Sequence, residues 1–147
     1  TRDTDEITSL VADLVPISIQ KDIHIQSGTR KNMPNLLKAV DISVSFIEPS
    51  FARQASSPTK MAESFAMGIP VICNSGVGDI EAQVNNLSGG IVIDSLSDEA
   101  LDDLSSNLDK IINQGGIRLR RASKEYFDLN IANERYKMIY NDILGAN

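Results

Sequence analysis

Residues 56–63 hold the densest set of groups able to do chemistry. Ser56, Ser57, Pro58, Thr59 and Lys60 lead into Met61, Ala62 and Glu63. The order reads as a polar loop followed by a helix start, with Ser57 at the cap and Pro58 in the first turn. The first backbone N–H groups of a helix lack intrahelical acceptors, and the helix dipole adds positive potential there. The Thr59 and Lys60 amides and the Ser57 hydroxyl therefore favour an anion. Lys60 puts a full positive charge where the dipole disfavours one, which an anion overhead would explain. Glu63 stands one turn in, and helical side chains lean toward the N-terminus. A carboxylate repels phosphate, so Glu63 suits paired hydroxyls such as those of a ribose. Together these groups suit a nucleoside diphosphate. The competing reading is structural: Ser57 and Pro58 only start a helix, and Lys60 and Glu63 make an i, i+3 surface pair.

Other candidates weigh less. Arg53, Arg30 and Lys31 are loop cations, open to phosphate or to solvent. His24 is read as a structural histidine inside a strand. Cys73, in an apolar run, is read as a small core residue. Gly76 and Gly78 either turn the chain or let a loop approach a ligand. Asp98, Glu99, Asp102 and Asp103 read as a helix start with a solvated face, not a metal site. Arg118, Arg120, Arg121 and Lys124 form a basic surface, open to solvent, to another domain or to an anionic membrane.

The elements that position these residues alternate. Helices are expected at residues 4–14, 34–40, 58–67 and 79–86. Strands are expected at residues 22–26, 41–47, 69–73 and 91–93. The run Ile69-Pro70-Val71-Ile72-Cys73 is continuously apolar, as for a central parallel strand covered on both faces. Gly68 is a natural helix terminator. Ser97 caps a helix carrying Leu101, Leu104, Leu108, Ile111 and Ile112 in one stripe, closed by Gly115 and Gly116. Helices over residues 117–127 and 131–144 follow. This order predicts a Rossmann-like three-layer α/β/α domain with a parallel sheet. Ligands of such sheets lie beyond the carboxyl ends of the strands. Those ends are residues 27–32, 48–57, 74–79 and 94–97.

At 147 residues the chain is expected to be a single domain, residues 1–147. With 20 acidic against 14 basic residues it lacks the basic field of a general nucleic-acid coat. One cysteine and one histidine leave no disulfide framework and no His-rich metal site. No apolar run nears the ~20 residues of a membrane span, and no signal peptide opens the chain. Its start at Thr1, without Met, reads as a piece of something longer. No Walker or G-x-G-x-x-G loop is present.

Residues 58–84 (PTKMAESFAMGIPVICNSGVGDIEAQV) resemble the signature of the family 4 retaining glycosyltransferases, which have the GT-B fold. Ala39-Val40-Asp41-Ile42-Ser43-Val44 with Glu48-Pro49-Ser50 is similar to an upstream strand of that family. Gly89-Gly90-Ile91-Val92-Ile93-Asp94 is similar to a downstream one. Ala132-Asn133-Glu134-Arg135-Tyr136 is similar to its closing helix. The likeness runs over about residues 23–144.

The resemblance implies the C-terminal, donor-binding half of a two-domain enzyme, missing its N-terminal acceptor domain. It implies a hexosyltransferase that binds a nucleotide sugar, UDP- or GDP-linked. Transfer would be retaining and metal-free, with no cofactor, to a saccharide or lipid-linked acceptor. The isolated domain would be inactive. Carried over by position, Glu63 holds the ribose, Thr59 and Lys60 meet the phosphates, and Ala55, Ser56 and Ser57 pass the donor sugar. Gly28, Thr29 and Arg30 pass the base, and Arg53 joins the donor site. The family's first motif glutamate falls on Ala55, so the catalytic residue is unassigned. The resemblance further implies a cytoplasmic location, with peripheral association at the inner membrane face as an option; the acidic charge balance adds the expectation of no nucleic-acid partner. The alternative is a catalytically inactive nucleotide-binding or regulatory α/β domain.

Overall fold

A computed structural model describes residues 3–57 and 59–145. The chain divides into two compact units, Thr1–Ala39 and Val40–Asn147.

The first unit is helical among its described residues. It contains α1 (Thr4–Leu14), the single turn α2 (Ile17–Gln20) and α3 (Met33–Leu37). Gln20 Nε2 donates to the Val15 carbonyl at 2.7 Å and so ties α2 back to the end of α1. The stripe expected on α1 is only half covered. Ile7 and Val11 are half-buried, whereas Leu10 and Leu14 are exposed.

The strand expected at residues 22–26 does not form, and His24 lies in exposed irregular chain. Two isoleucines in alternation carry the pattern but not the pairing. A strand needs a neighbour for its N–H and C=O groups, and among the described residues this unit has none.

The second unit is mixed α/β. Among its described residues the sheet has three parallel strands in the order β1 (Ser43–Ser45), β2 (Val71–Asn74), β3 (Gly90–Ile93). Ser43 pairs with Val71, which pairs with Gly90. Between β1 and β2 run a 3₁₀ turn (Phe51–Ala55) and α4 (Thr59–Met67), and α5 (Ile80–Leu87) joins β2 to β3. Then come α6 (Asp98–Ser106), α7 (Leu108–Ile112), α8 (Ile117–Phe127) and α9 (Leu129–Gly145).

The core is sorted by the two-residue period of β2. Val71 and Cys73 join Met61 and Phe65 of α4, Val84 of α5 and Leu119 of α8. Ile72 instead joins Leu104 of α6 and Ile111 of α7. Met61 and Phe65, four apart, put one face of α4 on the sheet, and full burial of a Phe side chain stabilises by roughly 2–3 kcal/mol. The helix ends as expected at Gly68, with φ at +78°. The Gly68 N–H donates to Phe65 O and the Ile69 N–H to Ser64 O, both at 2.9 Å, as in a Schellman motif. A side chain at Gly68 would sit 2.6 Å from the Gly116 carbonyl oxygen.

The single helix expected after Ser97 is two. It breaks at Asn107, whose Nδ2 donates to the Asp103 carbonyl at 2.8 Å. Ser105 and Ser106 Oγ donate to the Asp102 carbonyl at 2.8 and 3.0 Å. Short polar side chains at the end of α6 thus compete with its backbone ladder. The Ser97 cap is present, its Oγ accepting from the Ala100 N–H at 3.4 Å.

Candidate functional site

Because the strands are parallel, the first turn of α4 lies at the carboxyl end of the sheet. Two adjacent crevices open at that end. One, of about 500 Å³, is lined by Ser45, Phe46, Ile47, Arg53, Ser56, Ser57, Thr59 and Lys60. The other, of about 450 Å³, is lined by Phe46, Ile47, Glu48, Pro49, Asn74, Ser75, Asp94, Ser95 and Leu96. Phe46 and Ile47 form the shared wall.

The first crevice gathers five of the residues singled out in the sequence: Arg53, Ser56, Ser57, Thr59 and Lys60. Arg53 is delivered by the 3₁₀ turn. That turn is closed at its start by Ser50, whose Oγ accepts from the Arg53 N–H at 3.3 Å. Thr59 and Lys60 open α4, and Pro58, expected in its first turn, lies outside the described residues. Thr59 and Lys60 point first-turn amides toward this end of the sheet, with no carbonyl one helical turn earlier inside α4 to receive them. Among the described residues, neither Arg53 nor Lys60 forms an ion pair, and no carboxylate lines the crevice. The surface pair of Lys60 with Glu63 is not made.

Glu63 is exposed on α4 and does not line the crevice. It stands a full turn farther from the helix tip than Thr59. Ala55 ends the 3₁₀ turn, exposed and outside the lining. Gly28, Thr29 and Arg30 belong to the first unit. There Thr29 starts the turn into α3, its carbonyl accepting from the Asn32 and Met33 N–H groups at 2.9 and 3.0 Å. Gly28 packs against Leu36, and Arg30 is exposed.

Two residues that shape the site were not singled out in the sequence. Asn74 Oδ1 accepts from the Ile47 N–H and Asn74 Nδ2 donates to the Ile47 carbonyl, both at 2.8 Å. The side-chain amide thus continues the β1–β2 ladder past the last paired residues and fixes the shared wall. Its signal was a polar residue ending an apolar strand. Gln83 is the second, buried at 3% exposure. Its Nε2 donates to an Asp79 carboxylate oxygen and, at 3.4 Å, to Ser57 Oγ. The loop before α5 is pressed onto the same segment. Gly78 has φ at +47°, and a side chain there would meet the Ser56 carbonyl oxygen at 1.8 Å.

Other candidates resolve into structure. Cys73 is buried, and burial, with the Glu81 carboxylate adding to it, pushes its thiol up to about 11. Arg118 leaves the basic surface, donating to the carbonyls of Leu87, Ser88 and Gln114 at 2.7–2.9 Å. Among the described residues, no three His, Cys, Asp or Glu side chains are grouped to hold a metal ion. No helix there is long and apolar enough to cross a membrane.

No family model matches the chain, and no solved structure does. Over 140 residues, 95% of its length, the chain is 26% identical to the DNA repair protein RAD50 of Saccharomyces cerevisiae. It spans about 10% of that protein's length. This corrects the expected function. The likeness runs to a DNA repair protein and points away from a donor-binding domain for glycosyl transfer, and that reading is withdrawn.

Proposed function

We propose that the second unit is a binding module for a compact phosphate-bearing ligand, held in the crevice between β1 and the first turn of α4. One observation carries the reading. In a chain with 20 acidic and 14 basic residues, two cations and four hydroxyl side chains converge on a crevice, and among the described residues the cations form no ion pair and no carboxylate joins the lining. Phosphate groups are recognised by such sets: cations, hydroxyl donors and free amides at a helix start. Phe46 and Ile47 add an apolar wall for whatever the phosphate is attached to. Two cations suit one phosphate or diphosphate rather than a long polyanion, whose binding scales with the number of neutralised charges.

The finer architecture belongs to the same proposal. Helices reach β2 from two opposite sides, α4, α5 and α8 on one and α6 and α7 on the other, which supports a Rossmann-like three-layer arrangement. The likeness of residues 58–84 to the family 4 signature is read as a likeness of fold elements, not of reaction.

Calorimetric titration of the chain with inorganic pyrophosphate at low salt tests the reading. Binding with a Kd near or below about 1 mM is expected, weakening as salt screens the cations. Lys60→Ala should weaken it about tenfold. No heat with the unaltered chain, or equal affinity in Lys60→Ala, would overturn it.

A further inference from the structure

We propose that Asp79 and Gln83 are positioning residues that turn Ser57 into a dedicated hydrogen-bond donor for the bound anion. The inference rests on the phosphate-binding reading above and deepens it.

A serine hydroxyl has one proton to give and two lone pairs to receive. Gln83 Nε2 lies 3.4 Å from Ser57 Oγ and can only donate to it. Ser57 is thereby held as acceptor on its inner side, and among the described residues its proton has no acceptor. Ser57 is exposed and lines the crevice, so the proton is left to face the ligand.

The orientation of the Gln83 amide is what makes this work, and Asp79 sets it. Asp79 precedes α5, one helical turn before Gln83, and receives the amide N–H. The flipped amide would press a carbonyl oxygen against that carboxylate. The orientation carries a cost: Gln83 Oε1 is buried with no hydrogen-bond partner among the described residues. Buried acceptors are seldom left unpaired, and an unpaired one asks for a reason. A fixed amide aimed at Ser57 supplies it. The approach of Gly78 to the Ser56 backbone holds the two segments at this spacing.

A double-mutant cycle on pyrophosphate affinity tests the relay. Ser57→Ala should weaken binding about tenfold or more, as for loss of one hydrogen bond to a charged group. Gln83→Met, close in shape, and Asp79→Asn, compared at a salt concentration that screens the lost Asp79 charge, should each weaken it about threefold in the unaltered chain. Neither should weaken it further once Ser57 is alanine. A purely structural role would lower affinity equally in both backgrounds. Additive effects, or no effect of Asp79→Asn and Gln83→Met, would overturn the relay while leaving the phosphate site in place. Loss of all pyrophosphate binding in the unaltered chain would overturn both.

Discussion

The two crevices at the end of the sheet share a wall and differ in charge. On one side of Phe46 and Ile47 stand Arg53 and Lys60 with a helix start. On the other stand Glu48 and Asp94, with Asn74, Ser75 and Ser95. Their volumes are close, about 500 and 450 Å³, so size does not separate them. Topology supplies the openings, and local side chains set their charge. The carboxyl end of a parallel sheet offers a cleft beside each strand. Of these two, the one next to the first turn of α4 is lined by Arg53 and Lys60.

That contrast can be broken from the backbone outward. The largest effect is expected at Gly78. Alanine there would meet the Ser56 carbonyl oxygen at 1.8 Å in a left-handed conformation. Gly78→Ala should cost about 3 kcal/mol or more in chemical denaturation. Pyrophosphate affinity should fall with it, because the lip of the basic crevice must move. Unchanged stability would show that this close approach is not rigid.

Cys73 lies in the buried core, one residue before Asn74. Its thiol ionises near 9.0 in its ordinary state and near 11 in the fold, burial being the main cause. Between those values the folded chain keeps a proton that the unfolded chain has lost. Stability contributed by the neutral thiol is therefore complete below about pH 9 and is lost as pH climbs toward 11. The slope is at most about 1.4 kcal/mol per pH unit. Denaturation of the unaltered chain and of Cys73→Ala at pH 8 and pH 10.5 should show that extra loss only where the thiol is present. Parallel losses would contradict it.

Asn74 sharpens the comparison, because it serves both sides. Asn74→Ala leaves the Ile47 N–H and C=O without their partners and should cost about 2 kcal/mol. It should also broaden the signals of residues lining both crevices. Broadening confined to one would show that the wall is not shared. The smallest effect is expected from Glu48→Gln, which removes a charge from the acidic side. Pyrophosphate affinity at the basic side should rise by less than about threefold at low salt and not at all at high salt.

Much of the second unit was legible in the sequence. Gly68 and the apolar run behind it fixed the end of α4 and the place of β2, because a left-handed turn and a doubly covered strand each leave a strong local mark. Ser97 marked its helix for the same reason. The misses share a different cause. Residues 22–26 had strand alternation, but pairing is a long-range property that two isoleucines cannot specify. Asn107 broke a helix whose apolar stripe continued across the break, because side-chain competition for backbone groups leaves no trace in periodicity.

The site was half legible. Ser57, Thr59 and Lys60, singled out at a helix start, do line one crevice together, and Arg53 reaches it through a turn the sequence did not mark. Glu63 was expected in the same opening from its helix position and from the family resemblance, and it sits exposed, outside the lining. Asn74 and Gln83 act across 27 and 26 residues of chain. No local pattern carries contacts of that range. The function inferred from signature-like strings fell to the likeness with a DNA repair protein.

The two crevices are told apart most directly by which of them takes a phosphate. Backbone amide NMR during titration with inorganic pyrophosphate reads this directly. Shifts centred on Ser57, Thr59 and Lys60, with Asp94, Ser95 and Leu96 unmoved, are the expected result. Shifts centred on residues 94–96, or none in either set, would contradict it.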